Sequence, residues 1–136
     1  MLVHSTGEDT HVARETPVLD VLARWRDRGD IGAIGMSTKT VADTIALLPD
    51  LDAVMVTLNP AHTAEIPVIE AAGAAGKIVL IKKALDSGAL AGAEGEDPVG
   101  DALRFSASQS GVTSIVIGTL NPDHLEQAVR AVEAAG

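Results

Sequence analysis

The chain has 136 residues and a formal net charge of −9, and 46% of it is apolar, enough for one domain with a real core and too much for disorder. An acidic surface repels phosphate backbones, which argues against a nucleic-acid partner, and the absence of cysteine excludes a disulfide framework and a thiolate metal site. The opening Met1-Leu2-Val3-His4 turns polar too soon for a signal peptide, and no apolar run approaches the length that spans a bilayer, so no membrane partner is expected and the simplest compartment is the cytosol.

Strands and helices alternate along the chain. Leu2-Val3 reads as the end of a short strand, and residues 5–16 are polar and read as loop. Pro17 then stands where a helix begins, a place that suits a residue with no N–H to donate. Val18, Val21, Leu22 and Trp25 follow at helical spacing, and Arg28 and Gly29 supply the stop. Residues 31–36 are uncharged and read as a buried strand. Ser37 and Thr38 are candidate caps for a helix whose apolar face is Val41, Ile45 and Leu48. Residues 53–58, Ala-Val-Met-Val-Thr-Leu, give the clearest strand. Asn59-Pro60 opens a loop into a helix near residues 66–75, closed by Gly76. Residues 78–81 are again an apolar strand. Residues 87–95 are rich in Gly and Ala and read as a mobile loop. Asp97 and Pro98 supply an N-cap and first helical residue, with Leu103 and Phe105 on the helix. Residues 113–117 form another strand, and Asn121-Pro122 opens the last helix, with Leu125, Ala128, Val129 and Val132 on its face.

Strands apolar on both faces, each followed by an amphipathic helix, imply an α/β fold with a parallel sheet covered by helices. The β–α pattern fits either a doubly wound open sheet or a piece of a β/α barrel, and does not choose between them. A closed barrel takes eight such units and about 250 residues, roughly twice this chain. Gly32 and Gly35 do not make the glycine fingerprint of a dinucleotide-binding turn. His11 and His62 lie in loop segments, and no metal site is expected at either.

In either architecture the functional residues sit at the C-terminal ends of the strands. Those positions are His4-Ser5, Ser37-Thr38, Thr57-Leu58-Asn59-Pro60, Lys82-Lys83 and Gly118-Thr119. The segments Ile31-Gly32-Ala33-Ile34-Gly35-Met36-Ser37, Val56-Thr57-Leu58-Asn59-Pro60, Lys82-Lys83-Ala84-Leu85-Asp86-Ser87-Gly88 and Ile117-Gly118-Thr119-Leu120-Asn121-Pro122-Asp123-His124-Leu125 resemble, in order, the fifth to eighth strands and following loops of the aldo-keto reductases. The similarity covers nearly the whole chain. It implies the C-terminal half of a TIM-type (β/α)8 barrel, strands four to eight, over residues 1–136.

The resemblance also implies a chemistry. The family reduces carbonyls with NADPH through an Asp, a Tyr, a Lys and a His, the tyrosine being the general acid. This chain has no tyrosine, and only the histidine finds a counterpart, His4. A histidine can assist only if an acid stands within hydrogen-bond reach. Ser37 and Thr38 resemble the pair that holds the nicotinamide carboxamide, although the family often has Asn at the second place, and both also serve as plain helix caps. Met55 stands where many members carry a glutamine for that carboxamide and reads as a core methionine. Lys82 stands where many members stack a tyrosine on the nicotinamide. Lys82 and Lys83 would attract the cofactor pyrophosphate, with Leu85 and Ser87 in the cradle, or would be a solvated pair at a strand exit. Gly118, Thr119, Asn121, His124 and Gln127 resemble the adenosine-phosphate site, where an anion meets a helix N-terminus. Cations common at that site in the family are lacking save for His124, so weak NADP binding is expected.

Two expectations of different class follow. In one, the chain reduces an aldehyde or ketone once a missing N-terminal half completes the barrel. In the other, it is a self-associating, non-catalytic half-barrel, or a truncated fragment, whose open strand edges are hidden by pairing with a second copy.

Overall fold

The structure is a computed structural model that describes residues 1–86 and 97–134. In chain order it contains β1 (Leu2–His4), α1 (Asp9–Arg14), α2 (Val18–Asp27), β2 (Gly35–Ser37), α3 (Val41–Leu47) with a 3-10 turn at Leu48–Asp50, β3 (Ala53–Thr57), α4 (Ile66–Ala74), β4 (Ile78–Lys82), α5 (Pro98–Ala107), β5 (Ser114–Ile115) and α6 (Pro122–Glu133). The five strands form one sheet in the order β1-β2-β3-β4-β5, every neighbouring pair parallel.

That order decides between the two architectures left open above. A doubly wound sheet reverses its direction of growth at a switch point. Here growth never reverses, and crossovers of one hand then put all the helices on one face of the sheet. Burial along the strands agrees. Val54, Val56, Val79 and Ile81 are fully buried and point toward the helices, while Met55, Thr57, Leu80 and Lys82, which alternate with them, are partly exposed. The sheet is an arc of a β/α barrel with helices outside. Its outer strands, β1 and β5, each pair on one side only among the described residues.

The core lies between sheet and helices. It joins Met36, Val54, Val56, Leu58, Val79 and Ile81 to Leu47, Val68, Ile69, Ala72 and Leu103. Close approach of β2 to β3 requires glycine at 35: a Cβ there would stand 2.2 Å from the Ala53 carbonyl oxygen.

Several expected elements shift. Residues 5–16 are not all loop, because Asp9–Arg14 form α1, which buries Ala13 and is anchored by its own side chains: Asp9 accepts from the Lys39–Thr40 segment and Arg14 donates to the Ala46 carbonyl oxygen. The buried residues of α2 are Leu19 and Leu22, and Trp25 is 38% exposed, so the expected stripe is rotated. In α3 it is Thr44 and Leu47 that are buried, with Ile45 turned outward. The face of α6 that packs is Ala128 and Ala131, whereas Leu125 and Val129 remain about half exposed. Strand β5 is shorter than residues 113–117. Four helix ends behave as expected: Asp97 Oδ1 accepts from the Gly100 amide, Asn121 Oδ1 accepts from the Asp123 amide, and Gly29 and Gly76 take φ values of +82° and +66°. Among the described residues no helix is long and apolar enough to cross a membrane.

Candidate functional site

The strand register gathers the chemistry-bearing side chains on the face without helices. His4 is opposite Ser37, Ser37 is opposite Met55, and Thr57 is opposite Lys82. Successive residues of a strand alternate faces, so His4, Ser37, Met55, Thr57, Leu80 and Lys82 share one surface. The Lys82 side chain demonstrates this directly. Its Nζ reaches over β3 to donate to Ser37 Oγ and to the Thr38 carbonyl oxygen, both at 2.9 Å. Met55 belongs to this face and is partly exposed, rather than fully buried in the core as a core methionine would be.

Charge surrounds this lysine. Burial lowers the Lys82 pKa, Glu65 opposes that effect, and Lys83 and Lys39 reinforce it. Glu65 ends the loop before α4 and is itself half-buried. Its Oε1 accepts from the Thr57 amide at 3.2 Å, and burial raises its carboxyl above the usual range. Asp9 completes the group. It is fully buried, and its Oδ2 accepts from the amides of Lys39 and Thr40 at 3.0 and 2.9 Å and from Thr40 Oγ1 at 2.7 Å. Burial pushes its carboxyl up, but hydrogen bonds from Ser5, Lys39 and Thr40 outweigh this and hold it below its ordinary value.

These contacts correct the capping role given to Ser37 and Thr38. The N-cap of α3 is Thr40, and the side-chain acceptor for the helix start is Asp9, reaching from α1. Ser37 Oγ is engaged by Lys82, and the buried Thr38 Oγ1 has no partner among the described residues.

Beside this cluster the chain from Lys83 to Asp86 is strained. Lys83 and Asp86 take φ of +56° and +46°, a region costly for residues with a Cβ. Asn59 holds the segment by donating from Nδ2 to the Lys83 carbonyl oxygen at 2.9 Å, and His62 Nδ1 lies 3.7 Å from Asp86 Oδ1. A pocket of about 470 Å³ lies here, lined by Thr57, His62, Thr63, Glu65, Lys83 and Asp86 among others. Lys83 is exposed and Leu85 is packed against the core; Ser87 lies outside the described residues.

The start of α6 is a separate locality. Thr119 Oγ1 accepts from the Asn121 amide at 3.1 Å, and Gly118, Asn121 and His124 are exposed. Gln127 turns toward a cleft lined by Asp97, Arg104, Asp123, Glu126 and Arg130. Both guanidiniums there are already paired, Arg104 with Asp97 and Asp101, and Arg130 with Glu126. An incoming anion therefore meets carboxylates as well as cations. Among the described residues no three His, Cys, Asp or Glu side chains are grouped to hold a metal.

Comparison with known proteins now bears on the fold. No family model and no curated protein matches the sequence. Two solved structures of Pseudomonas aeruginosa proteins assigned to the aldo-keto reductases match 98% of the chain at 39% identity, with TM-scores of 0.87 and 0.86. The chain resembles the C-terminal half of an aldo-keto reductase. It spans only 49% and 50% of those two chains. The aldo-keto reductase from Bacillus halodurans, in its holo form, matches 97% of the chain and 54% of its own length with a TM-score of 0.79; at 13% identity this likeness concerns the fold alone. The half-barrel reading made from four sequence segments thus agrees with both topology and comparison.

Sequence reasoning missed Glu65 and Asp9. Asp9 sits in a polar run with no periodic signal. Glu65 had a weak one, its place just before a helix start and a few residues past a strand end.

Proposed function

We propose that this half-barrel is the cofactor-holding part of an NADP-dependent aldo-keto reductase that reduces an aldehyde or ketone. The observation that carries the reading is the alignment of His4, Ser37, Thr57 and Lys82 on the helix-free face at the strand ends, in a chain 39% identical over 98% of its length to an aldo-keto reductase half.

The residues present fit such a cofactor in part. The unpartnered Thr38 hydroxyl, buried beside the Lys82 contact, is a free hydrogen-bonding group for a carboxamide. Lys82 and Lys83 would supply positive charge for a pyrophosphate, with Leu85 in the cradle; Ser87, expected with them, lies outside the described residues. Gly118, Thr119, Asn121, His124 and Gln127 would meet the adenosine phosphate at the α6 N-terminus, where the paired Arg104 and Arg130 and their carboxylates favour weak binding. When bound, NADPH supplies a hydride. The chain's own part is to hold and orient. His4 would steer a substrate carbonyl but carries no acid to it, because the family's tyrosine has no counterpart here. Catalysis therefore calls for an N-terminal half, and the expected compartment is the cytosol.

A second reading, a non-catalytic half-barrel that pairs with its own kind, is favoured by a different observation. Among the described residues β1 and β5 each have an open edge, and Leu125 and Val129 leave apolar surface beside β5.

The deciding experiment mixes the chain with NADPH and an aromatic aldehyde, alone and with the N-terminal half of a related reductase. The proposal expects NADPH binding by fluorescence to the chain alone, and turnover only in the mixture. Absence of NADPH binding at millimolar cofactor refutes it. A strict monomer by native mass refutes the second reading.

A further inference from the structure

We propose that Lys82 is a built-in competitor at the carboxamide site: its ammonium fills the place that an amide nitrogen would take between Ser37 and Thr38, so that a nicotinamide must displace it to bind. The inference rests on the reading of this face as a cofactor site and names what regulates it.

The connection from β2 to α3, residues 37–40, is tied from several sides. The Ser37 carbonyl oxygen accepts from the Ser5 amide at 3.1 Å. Asp9 Oδ2 takes the amides of Lys39 and Thr40 and the Thr40 hydroxyl. The Thr40 carbonyl oxygen accepts from the Thr44 amide at 3.1 Å and from the Thr44 hydroxyl. Three groups are left beside Lys82. They are Ser37 Oγ, the Thr38 carbonyl oxygen and Thr38 Oγ1, the last buried and without a partner among the described residues. Two acceptors beside a hydroxyl complement a primary carboxamide, whose nitrogen brings two N–H donors and whose oxygen accepts.

Lys82 Nζ already makes both of the nitrogen's contacts. It stands 2.9 Å from Ser37 Oγ and 2.9 Å from the Thr38 carbonyl oxygen, so the two acceptors are spaced for one nitrogen to bridge. An ammonium nitrogen and an amide nitrogen cannot share that position. The ammonium is a strong rival, because hydrogen bonds from a charged donor are stronger than those from a neutral amide. Yet it is not locked in. Lys82 lies opposite Thr57 on the face that no helix covers, and its residue is partly exposed. Once displaced, it carries its charge over the same open face, where a pyrophosphate would meet it. One residue thus opposes the nicotinamide end of a cofactor and favours its phosphates. A site occupied by its own lysine binds with an affinity reduced by the fraction of time it is open, so occupancy of roughly nine-tenths weakens binding about tenfold.

The test uses the full chain and two fragments of the cofactor. Reduced nicotinamide riboside carries the carboxamide and no phosphate, and ADP-ribose carries the pyrophosphate and no nicotinamide. The first is titrated by fluorescence and the second by calorimetry, against wild type and Lys82→Met, which keeps an apolar stem and removes the donors. The variant is expected to bind the riboside about tenfold more tightly and ADP-ribose several-fold more weakly. Ser37→Ala added to Lys82→Met should cancel much of the riboside gain, because the amide then loses an acceptor. A second readout needs no variant: bound riboside should speed acetylation of Lys82 by acetic anhydride several-fold in wild type, followed by peptide mass mapping with Lys39 and Lys77 as references.

Riboside affinity that is unchanged, lower or undetectable in Lys82→Met, ADP-ribose affinity that does not fall, or acetylation of Lys82 that bound riboside does not speed overturns the proposal. Its fate is separable from that of the cofactor reading. A wild type that binds NADPH beside a variant that gains nothing for the riboside leaves the cofactor reading standing and removes the competitor. A wild type that fails to bind NADPH beside a variant that gains the riboside does the reverse.

Discussion

Replacement of Asp9 tests how the first helix and the candidate site are held together. One oxygen of this fully buried carboxylate accepts three hydrogen bonds from the Lys39–Thr40 segment, the start of α3, at 2.7 to 3.0 Å. Hydrogen bonds to a charged acceptor contribute about 1.5–3 kcal/mol each, and three that share one oxygen do not add. Lys39 and Thr40 are exposed, so water can reach part of what is left behind. Asp9→Ala is expected to cost about 3 kcal/mol, and Asp9→Asn, which keeps an acceptor but loses the charge, about 1–2 kcal/mol. The pH dependence follows from the direction of the pKa shift. The folded-state value lies below the ordinary one, so the charge's contribution is complete above about pH 4, the unfolded value, and fades as pH falls through the folded value. Equilibrium urea unfolding of wild type and Asp9→Asn at pH 7 and again near pH 3 measures both quantities. A variant as stable as wild type at pH 7, or a stability gap no smaller at pH 3, would show that the buried carboxylate does not anchor α3.

Gly35→Ala should cost about 3 kcal/mol in thermal or urea unfolding, since its Cβ would meet the Ala53 carbonyl oxygen at 2.2 Å and Leu2 Cδ2 at 2.8 Å, and two paired strands cannot move apart cheaply. Asn121→Ala removes the side-chain acceptor of the Asp123 amide and should lower stability by about 1 kcal/mol, seen as a small drop in Tm with an unchanged circular dichroism spectrum. Glu65→Gln should stabilise the chain at neutral pH. The Glu65 carboxyl lies above its ordinary value in the fold, so wild type loses stability as pH rises from the unfolded value through the folded one. Glutamine, which does not ionise, escapes that loss, and the advantage should vanish below about pH 4.

What the sequence made legible follows from where the information is local. The strands at 53–58 and 78–81 are uncharged runs buried on the helix side, and no alternative structure competes for them. The caps at Asp97 and Asn121 are local contacts three and two residues long, and both form as read. The errors concern positions whose role is set across the fold. Leu125 and Val129 have helical spacing, yet α6 packs through Ala128 and Ala131, because a helix beside an open sheet edge has less to bury against than its apolar stripe offers. Ser37 looked like a cap from its neighbours, but its hydroxyl is taken by a lysine 45 residues away. Asp9 gave no signal, since its partners lie 30 and 31 residues further on. The same reasoning explains why the candidate site was only half visible. Lys82, Ser37 and Thr38 were each found at a strand end, but their mutual contact, made across β3, belongs to the register of the sheet.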